Sequence, residues 1–321
     1  MTANNRHGQM TAWLETRHEK PFSVAAASED ASFRRYFRLT REGVSRIVMD
    51  APPDLESCDA FVKVAHQLRG AGLHAPEIFA EDRQQGFLLL EDLGQRTYLE
   101  ALSEQTVDAL YGDALQAQRK FCQLPTDGLP VFDQQLICDE LALFRDWYIA
   151  EARALSPAEA NFCLQPLQSI LIENALAQPR VWVHRDYHSR NLMVCQPNPG
   201  ILDFQDAVAG PLTYDAVSLL KDCYIRWPRA KVETWLEAHY RQLQLTDLAS
   251  QLPEFGQFLT WFELMGVQRH LKAIGIFARL NHRDGKSGYL ADIPRCLEYL
   301  AEQADRCKPL AQLLAWLEQQ Q

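Results

Sequence analysis

The sequence predicts an α+β protein in which a small antiparallel sheet is followed by a larger, mainly helical part. Short alternating or β-branched apolar runs lie near the amino terminus, in FSVAAAS, RRYFRLT and SRIVMDA. After Gly94 the apolar residues recur mostly at helical spacing. With 321 residues, 47% of them hydrophobic, the chain is long enough for about two domains. We therefore place one domain at residues 1–92 and the other at residues 93–321.

A helix and two further strands complete the first part. The stretch LESCDAFVKVAHQLRGAG has an apolar face at helical spacing and is followed by glycines, which end helices. The face consists of Phe61, Val64, Ala65 and Leu68, and the glycines are Gly70 and Gly72. The two apolar runs that come next, EIFAED and GFLLLEDLG, predict strands.

Helices dominate the second part. The stretch SEQTVDALYGDALQAQRKFCQL predicts a helix with Ser103 as its N-cap. The stretch DQQLICDELALFRDWYIAEARAL shows Leu136, Glu140 and Leu143 at helical spacing. Strand signals interrupt this pattern only at VWVHRDYHSRNLMV and GILDFQD, and helices are predicted again from Thr213 onward.

Charge and composition exclude several classes of protein. A net charge of -10 argues against an extended basic surface for nucleic acid. The first residues contain no apolar signal region, and no stretch approaches the ~18 apolar residues of a membrane helix. The eight cysteines form no C-x-x-C pair, which favours reduced structural thiols. We expect a cytoplasmic protein without a nucleic-acid, membrane or protein partner.

The stretch VWVHRDYHSRNLMV places many polar residues between two apolar runs. Its residues His184, Arg185, Asp186 and Asn191 fit the spacing H-R-D-x-x-x-x-N, the catalytic-loop pattern of protein kinases and related phosphotransferases. Asp203 follows at the end of the next apolar run, in ILDFQD. A solvated turn is the alternative reading, because these residue types are frequent in turns. The two motifs together favour a catalytic loop.

Phosphoryl transfer explains why these residue types occur at this spacing. A carboxylate must orient the attacking hydroxyl, and Asp186 suits that task, with His184 and Arg185 beside it in the catalytic loop. Mg²⁺ prefers oxygen ligands and needs few from the protein, so Asn191 and Asp203 are the candidate ligands. The cofactors predicted are therefore ATP and Mg²⁺. The neighbouring His188 and Arg190 are assigned a structural or solvated role.

The segments WVHRDYHSRNLMV, GILDFQDAVAGPLTYDAVSLLKD and FLLLEDLG resemble the aminoglycoside phosphotransferase family, a branch of the protein-kinase-like fold. Within it, DASFRRYFRL, IVMDAPPD and MGVQRHLKAIGIFARLNHRDGKSGYLADIPR are similar to bacterial kinases of the amino sugars N-acetylmuramate and N-acetylglucosamine. The resemblance covers nearly the whole chain. It implies a two-lobed protein-kinase-like fold with ATP at the hinge. It also implies Asp203 as a metal ligand and Asp215 as a residue that holds the catalytic loop.

The nucleotide site departs from the kinase pattern. Where V-A-I-K proteins carry a phosphate-pairing lysine on the third strand, this chain has Met49. Three nearby arginines could supply the positive charge, although strand alternation prevents all of them from facing one side. They are Arg34, Arg35 and Arg38, and the possible acidic partners are Glu56 and Asp59.

Two further segments are predicted to contact the nucleotide. The turn SEDASFRRYF occupies the phosphate-turn position without a glycine, and Ser32 is a further hydrogen-bond donor there. An ordinary polar hairpin is the alternative. In FLLLEDLG, backbone groups of Glu91 and Leu93 could hydrogen-bond the adenine edge.

The acceptor site is sought in the helical part. The stretch WFELMGVQRHLK places Glu263, Arg269 and His270 within two turns of a helix, and a muramate carboxylate would favour an arginine. Other cations that remain open are Arg279, Arg283 and Lys286. The glycines of NHRDGKSGYL indicate a loop that could reach the cleft. From the resemblance, the acceptor is the anomeric hydroxyl, the product is the sugar 1-phosphate, and the role is the recycling of cell-wall sugars.

Two alternatives stay open. The acidic charge would also suit a cationic acceptor, so an aminoglycoside or other small-molecule hydroxyl kinase is one of them. The absent strand lysine and the glycine-poor turn motivate the second, a nucleotide-binding pseudokinase. A protein substrate is disfavoured because DFQDAVAGPLTYD contains no activation segment and is read as running directly into a helix.

Overall fold

The computed structural model describes residues 3–17, 22–29 and 33–320. The backbone divides into two compact units. The first extends to Arg96 and also includes Met193–Asp206, and the second contains Thr97–Leu192 and the chain from Ala207 onward. The sequence analysis placed a single domain boundary near residue 92. The first unit also contains Met193–Asp206, which lies beyond that boundary.

A five-stranded antiparallel sheet forms the centre of the first unit. The strands lie in the order β1-β2-β3-β5-β4, with Phe37 opposite Val48 and Val48 opposite Leu89. Their bounds are β1 (Ser23–Glu29), β2 (Arg35–Arg41), β3 (Val44–Asp50), β4 (Ile78–Asp82) and β5 (Phe87–Glu91). The sequence prediction of these five strands is confirmed.

Two helices complete the first unit. Helix α1 (Ala3–Glu15), to which the sequence analysis assigned no element, packs Met10, Trp13 and Leu14 against one face of the sheet. The sheet residues of that cluster are Leu39, Val48, Phe87 and Leu89. Helix α2 (Asp59–Gly70) buries the predicted apolar face, including Phe61 and Leu68.

The second unit is mainly helical. After α3 (Tyr98–Ala101) and α4 (Val107–Phe121), helix α5 (Gln134–Leu143) continues into a π-helical segment, Phe144–Ala152. Its other helices are α6 (Pro157–Leu176), α7 (Tyr214–Leu220), α8 (Arg229–Leu243), α9 (Phe255–Asp284), α10 (Ile293–Ala304) and α11 (Lys308–Gln319). Two 3₁₀ turns lie at Ala249–Gln251 and Ser287–Asp292.

Short strands position the central loop of the chain. Strand β6 (Arg180–Val183) pairs antiparallel with β9 (Val208–Pro211), with Val181 opposite Gly210. Strands β7 (Leu192–Met193) and β8 (Gly200–Ile201) form a separate ribbon. Strand β9 corrects the prediction that strand signals interrupt the helices only at VWVHRDYHSRNLMV and GILDFQD, whereas the helix predicted after DFQDAVAGPLTYD is present as α7. The four residues of β9 are all buried, so no alternation of apolar and polar residues marked it as a strand.

The start of α4 is a second correction. Ser103 is not its N-cap, because residues 103–106 form a turn in which the amides of Thr106 and Val107 both donate to the Ser103 carbonyl. Thr106 Oγ1 donates to the Ala101 carbonyl at 2.7 Å, and the helix begins one residue later. The helical spacing located the helix correctly but not its first residue.

Helix α9 is the longest helix among the described residues and packs closely on its neighbours. A Cβ at Gly275 would lie only 2.3 Å from the Leu143 backbone, so a larger residue there would separate α9 from α5. Within the described ranges, no helix combines the length and apolarity needed to cross a membrane. The cysteines whose side chains are described carry free thiols.

Candidate active site

The loop of residues 184–191 is held by a buried carboxylate. Asp215, at the start of α7, accepts the His184 amide at 2.7 Å through Oδ2 and the Arg185 amide at 3.1 Å through Oδ1. Arg185 has a φ of 75°, a left-handed conformation that residues other than glycine rarely adopt. The two hydrogen bonds that the backbone amides donate to Asp215 offset the cost of this backbone strain. Asp215 thus holds the loop, as the resemblance implied.

The same loop fixes the position of Asp186. Its amide donates to His184 Nδ1 at 3.3 Å, and its carbonyl accepts from Asn191 Nδ2 at 3.0 Å. A turn closes the loop, because the Asn191 amide donates to the His188 carbonyl at 2.9 Å. The Asp186 side chain is 37% exposed. The loop therefore presents a solvent-accessible carboxylate on a backbone that is hydrogen-bonded on both sides.

A buried ionic network lies behind this loop. Glu140 of α5 lies 2.5 Å from the Arg185 guanidinium and 3.0 Å from Lys272 Nζ, and Gln268 donates to it at 2.7 Å. Burial alone would raise the pKa of Glu140, but Lys272 and Arg185 lower it below its ordinary value. Sequence reasoning noted Glu140 only for its helical spacing. A charged residue in an otherwise apolar helix face was the one signal of this role.

Cations around the loop also set the charge of Asp186. Burial would raise the pKa of Asp186, but the positive charges of Lys272 and Arg269 outweigh it and hold the value at about 2. Arg269 Nη2 lies 4.0 Å from Asp186 Oδ1 and donates to the Arg185 carbonyl at 3.5 Å. Asp186 is therefore an anion throughout the physiological pH range and a weak base.

Of the three residues predicted for the acceptor, only Arg269 lies beside the loop. Glu263 forms an ion pair with Lys221 and accepts from Arg229 at 3.1 Å. His270 Nε2 donates to the Lys221 carbonyl at 2.9 Å, and burial lowers its pKa to about 3. The structure corrects the prediction for these two residues, because their polar atoms already bind Lys221 inside the second unit.

The predicted phosphate turn is only partly visible. Ser32 lies outside the described residues. Arg34 is buried and forms an ion pair with Glu56, one of the two acidic partners that the sequence offered. The pair lies directly before the first turn of α2.

Arg35 does not belong to that turn. Its guanidinium forms an ion pair with Asp50, which also binds Arg6 of α1. Arg6 in turn lies 4.5 Å from the centroid of the Phe87 ring, inside the cluster that α1 covers. Strand alternation therefore turns Arg35 to the face under α1, and the prediction that it contacts the nucleotide is corrected.

The position of the expected lysine is filled by an apolar residue. Met49 is fully buried in β3, opposite Tyr36 on one side and Leu88 on the other. Arg38, the third arginine considered, binds Asp92 at 2.6 Å and 3.1 Å. Its charge is thus already balanced by a carboxylate.

Backbone groups of Glu91 and Leu93 are predicted to bind adenine, and the structure engages one of these groups, the Glu91 amide. The Glu91 amide donates to the Glu77 carbonyl at 2.8 Å, so the prediction that this amide binds adenine is corrected. The Glu91 carboxylate binds His74 Nε2 at 3.1 Å. Among the described residues, the Leu93 amide has no hydrogen-bond acceptor, and it remains the candidate donor.

Asp203 occupies a strained position in the first unit. Its φ is 61°, again left-handed, and its Oδ1 accepts from Gln205 Nε2 at 2.8 Å. The next residue, Phe204, is buried against the Phe61 ring at 4.8 Å. This packing holds the strained segment in place. Strained backbone conformations of this kind are concentrated at the functional sites of proteins. Asp206 is exposed, and nothing in its surroundings assigns it a role.

The two residues predicted to hold Mg²⁺ carry donors of the type that a hard cation takes. Asp203 offers a carboxylate in the first unit. Asn191 offers an amide in the second unit, and the bond from its Nδ2 to the Asp186 carbonyl sets the orientation of that amide. No three His, Cys, Asp or Glu side chains of the described ranges gather closely enough to hold an ion by themselves. Mg²⁺ takes oxygen ligands and completes its shell with water and nucleotide, so both residue types suit it.

Comparison with known proteins gives concordant results. A sequence model of the phosphotransferase enzyme family matches residues 23–263. An N-acetylmuramate/N-acetylglucosamine kinase of Pseudomonas putida is 47% identical over 95% of this chain and 94% of its own length. A protein of the same name from Pseudomonas aeruginosa is 44% identical over 98% of this chain and 96% of its own length.

Solved structures agree on the fold. An ADP-bound aminoglycoside phosphotransferase has a TM-score of 0.62 at 15% identity, covering 91% of this chain and 97% of its own. A choline kinase from Streptococcus pneumoniae has a TM-score of 0.65 at 12% identity, covering 93% and 99%. These likenesses show the protein-kinase-like fold that the sequence predicted.

Proposed function

Because the chain belongs to the phosphotransferase enzyme family and acts on a hydroxyl acceptor, we propose that it transfers the γ-phosphoryl group of ATP to an amino sugar. The proposed acceptors are N-acetylmuramate and N-acetylglucosamine, phosphorylated on the anomeric hydroxyl to the sugar 1-phosphate. The observation that carries this proposal is the match, along nearly the whole chain, to two relatives named for those sugars. Such an enzyme would return cell-wall sugars to metabolism.

Asp186 would orient the acceptor hydroxyl. With a pKa of about 2 its carboxylate is ionised but weakly basic, so it suits a hydrogen bond to the hydroxyl better than early removal of the proton. That is sufficient, because the transition state of phosphoryl transfer is loose and needs little deprotonation of the nucleophile. The hydrogen bond that the Asp215 carboxylate accepts and the one that the Asn191 side chain donates hold the loop in place before substrate binds.

Asn191 and Asp203 are proposed to hold Mg²⁺, which when bound neutralises charge on the transferred phosphoryl group. On the nucleotide side, Arg34 is the remaining candidate for a phosphate contact, since Arg35 lies under α1 and Arg38 is balanced by Asp92. An arginine held by Glu56 could take the role of the lysine–glutamate pair found in kinases with V-A-I-K. The Leu93 amide is the proposed donor to adenine.

An acceptor panel tests the proposal. Purified protein with ATP and Mg²⁺ is assayed for ADP release with N-acetylmuramate, N-acetylglucosamine, glucosamine, kanamycin and choline, and phosphorus NMR locates the new phosphate. Release with the N-acetyl sugars and a 1-phosphate signal are expected. Activity with kanamycin alone would replace the sugar by an aminoglycoside, and nucleotide binding without any transfer would identify a pseudokinase.

A further inference from the structure

Arg190 is an exposed cation in the loop of residues 184–191 that lies against two aromatic rings. Its guanidinium lies 3.6 Å from the centroid of the Tyr224 ring and 5.5 Å from that of Tyr289. The side chain is 40% exposed, and its nearest carboxylate oxygen, Asp292 Oδ2, is 3.7 Å away, beyond hydrogen-bond distance. Within the described residues the guanidinium donates no hydrogen bond. Two aromatic rings thus orient a guanidinium whose N–H groups face solvent.

Arg190 shares its nearest carboxylate with a second arginine. Asp292 Oδ2 lies 3.7 Å from Arg190, and Asp292 Oδ1 is bound by Arg295 Nη1 at 2.7 Å. Among the described residues no carboxylate is hydrogen-bonded to the Arg190 guanidinium, so its donors are available to an anion that reaches it.

Two of the four cations considered for an acceptor carboxylate already have partners. Arg269 is 5% exposed and lies against the loop backbone and Asp186. Arg283 is held by its neighbour Asp284 at 2.6 Å and 2.9 Å. Lys272, a further cation behind the loop, is buried with Glu140. These contacts favour Arg190 over Arg269 and Arg283 as the group that binds a carboxylate.

The loop keeps Arg190 close to the reacting centre. It directly precedes Asn191, whose side chain is bonded to the Asp186 carbonyl. The His188 ring packs edge-on against Tyr224 at 5.1 Å, the same ring that supports Arg190. Tyr289 and Asp292 both come from the 3₁₀ turn after α9, and Tyr289 lies in the stretch NHRDGKSGYL that the sequence predicted to reach the cleft.

We propose that Arg190, oriented by Tyr224 and Tyr289, binds the lactyl carboxylate of N-acetylmuramate. This inference rests on the proposed function and assigns Arg190 a role other than the structural one expected from sequence. N-acetylmuramate differs from N-acetylglucosamine by this lactyl ether, on the ring carbon next but one to the anomeric carbon. A guanidinium matches a carboxylate with two parallel hydrogen bonds, so Arg190 determines how strongly the enzyme prefers the acidic sugar.

The test compares the two sugars in the full-length enzyme. In Arg190→Gln, we expect the ratio of kcat/KM for N-acetylmuramate to kcat/KM for N-acetylglucosamine to fall about tenfold or more, mainly through KM. Arg190→Lys keeps the positive charge but lacks the paired N–H donors of the planar guanidinium, so it should show part of that loss. Arg241→Gln, at a surface arginine that binds Glu237 on α8, is the control and should leave the ratio unchanged.

A substrate variant makes the assignment specific. The methyl ester of N-acetylmuramate lacks the carboxylate charge, so it should be a poorer substrate of the wild type but lose little further in Arg190→Gln. If the ratio of the two natural sugars stays constant in Arg190→Gln while both are phosphorylated, the inference is wrong and the proposed function stands. If wild-type enzyme phosphorylates neither sugar, both are wrong.

Discussion

Lys272 Nζ of α9 lies 3.0 Å from Glu140 Oε1 of α5, and both side chains are almost fully buried. The pair is part of the network that backs Asp186, since Glu140 also binds Arg185 in the catalytic loop. A charge removed from such a network leaves its partners buried without compensation. The same buried charges therefore contribute to the stability of the second unit and set the electrostatic surroundings of Asp186.

Glu140→Gln should destabilise the protein strongly. The substitution keeps the shape of the side chain but leaves Lys272 and Arg185 without their carboxylate, at an expected cost of about 3–5 kcal/mol. Urea unfolding measures the change. Glu237→Gln, which breaks the exposed pair with Arg241, should cost less than about 1 kcal/mol. Equal losses in the two variants would contradict a role for the buried network.

Asp186→Asn should abolish most turnover without unfolding the protein. Asparagine keeps only one of the two side-chain oxygens that can accept a hydrogen bond from the acceptor hydroxyl. We therefore expect kcat to fall about 10²–10⁴-fold. Nucleotide affinity, measured by calorimetry, should remain close to that of the wild type. Unchanged phosphoryl transfer would remove Asp186 from the reaction.

Asp203→Ala should remove the dependence of nucleotide affinity on Mg²⁺. The substitution deletes the proposed carboxylate ligand, so ATP titrations with and without Mg²⁺ should give similar affinities. Asp206→Ala, at the exposed carboxylate nearby, is the matched control and should keep the difference. A metal-dependent affinity in Asp203→Ala equal to that of the wild type would refute the assignment.

His239→Leu should make the protein less sensitive to acid. His239 is buried in α8, neither ring nitrogen has a hydrogen-bond partner among the described residues, and burial, with Arg119, lowers its pKa to about 3. In the unfolded chain, His239 binds a proton once the pH falls below its ordinary pKa of 6.5, whereas in the folded chain it stays neutral down to about pH 3. The folded state therefore loses stability relative to the unfolded state as the pH falls from 6.5 toward 3.

The free energy of unfolding, measured in urea from pH 7 to pH 4, checks this prediction. Below pH 6.5 the wild type should lose about 1.4 kcal/mol per pH unit more than His239→Leu, because one proton is involved. Leucine also removes two unpaired buried nitrogens, so the variant should be at least as stable at pH 7. Parallel pH profiles would show that His239 titrates normally.

Much of the fold could be predicted because its signals are local. The strands of the first unit carry apolar residues at a spacing that the pleat imposes, and the structure places all five where the sequence did. Elements with weaker local signals were missed. Strand β9 is buried on both faces and so does not alternate. Helix α1 was assigned no element because, among its described side chains, the apolar face is short and consists of Met10, Trp13 and Leu14.

The sequence by itself determined which side chains the loop of residues 184–191 brings together, because Asp186 and Asn191 lie within one short turn whose spacing the chain sets directly. Only the tertiary structure decided which charges surround that loop. Glu140 and Lys272 are far apart in sequence and meet because α5 packs on α9. The tertiary structure also places Arg35 on the face of the sheet that α1 covers. It packs Arg190 against two aromatic rings, near a carboxylate that Arg295 already binds. Backbone geometry fixes neighbours along the chain, whereas the partner of a long charged side chain depends on the packing of separate elements.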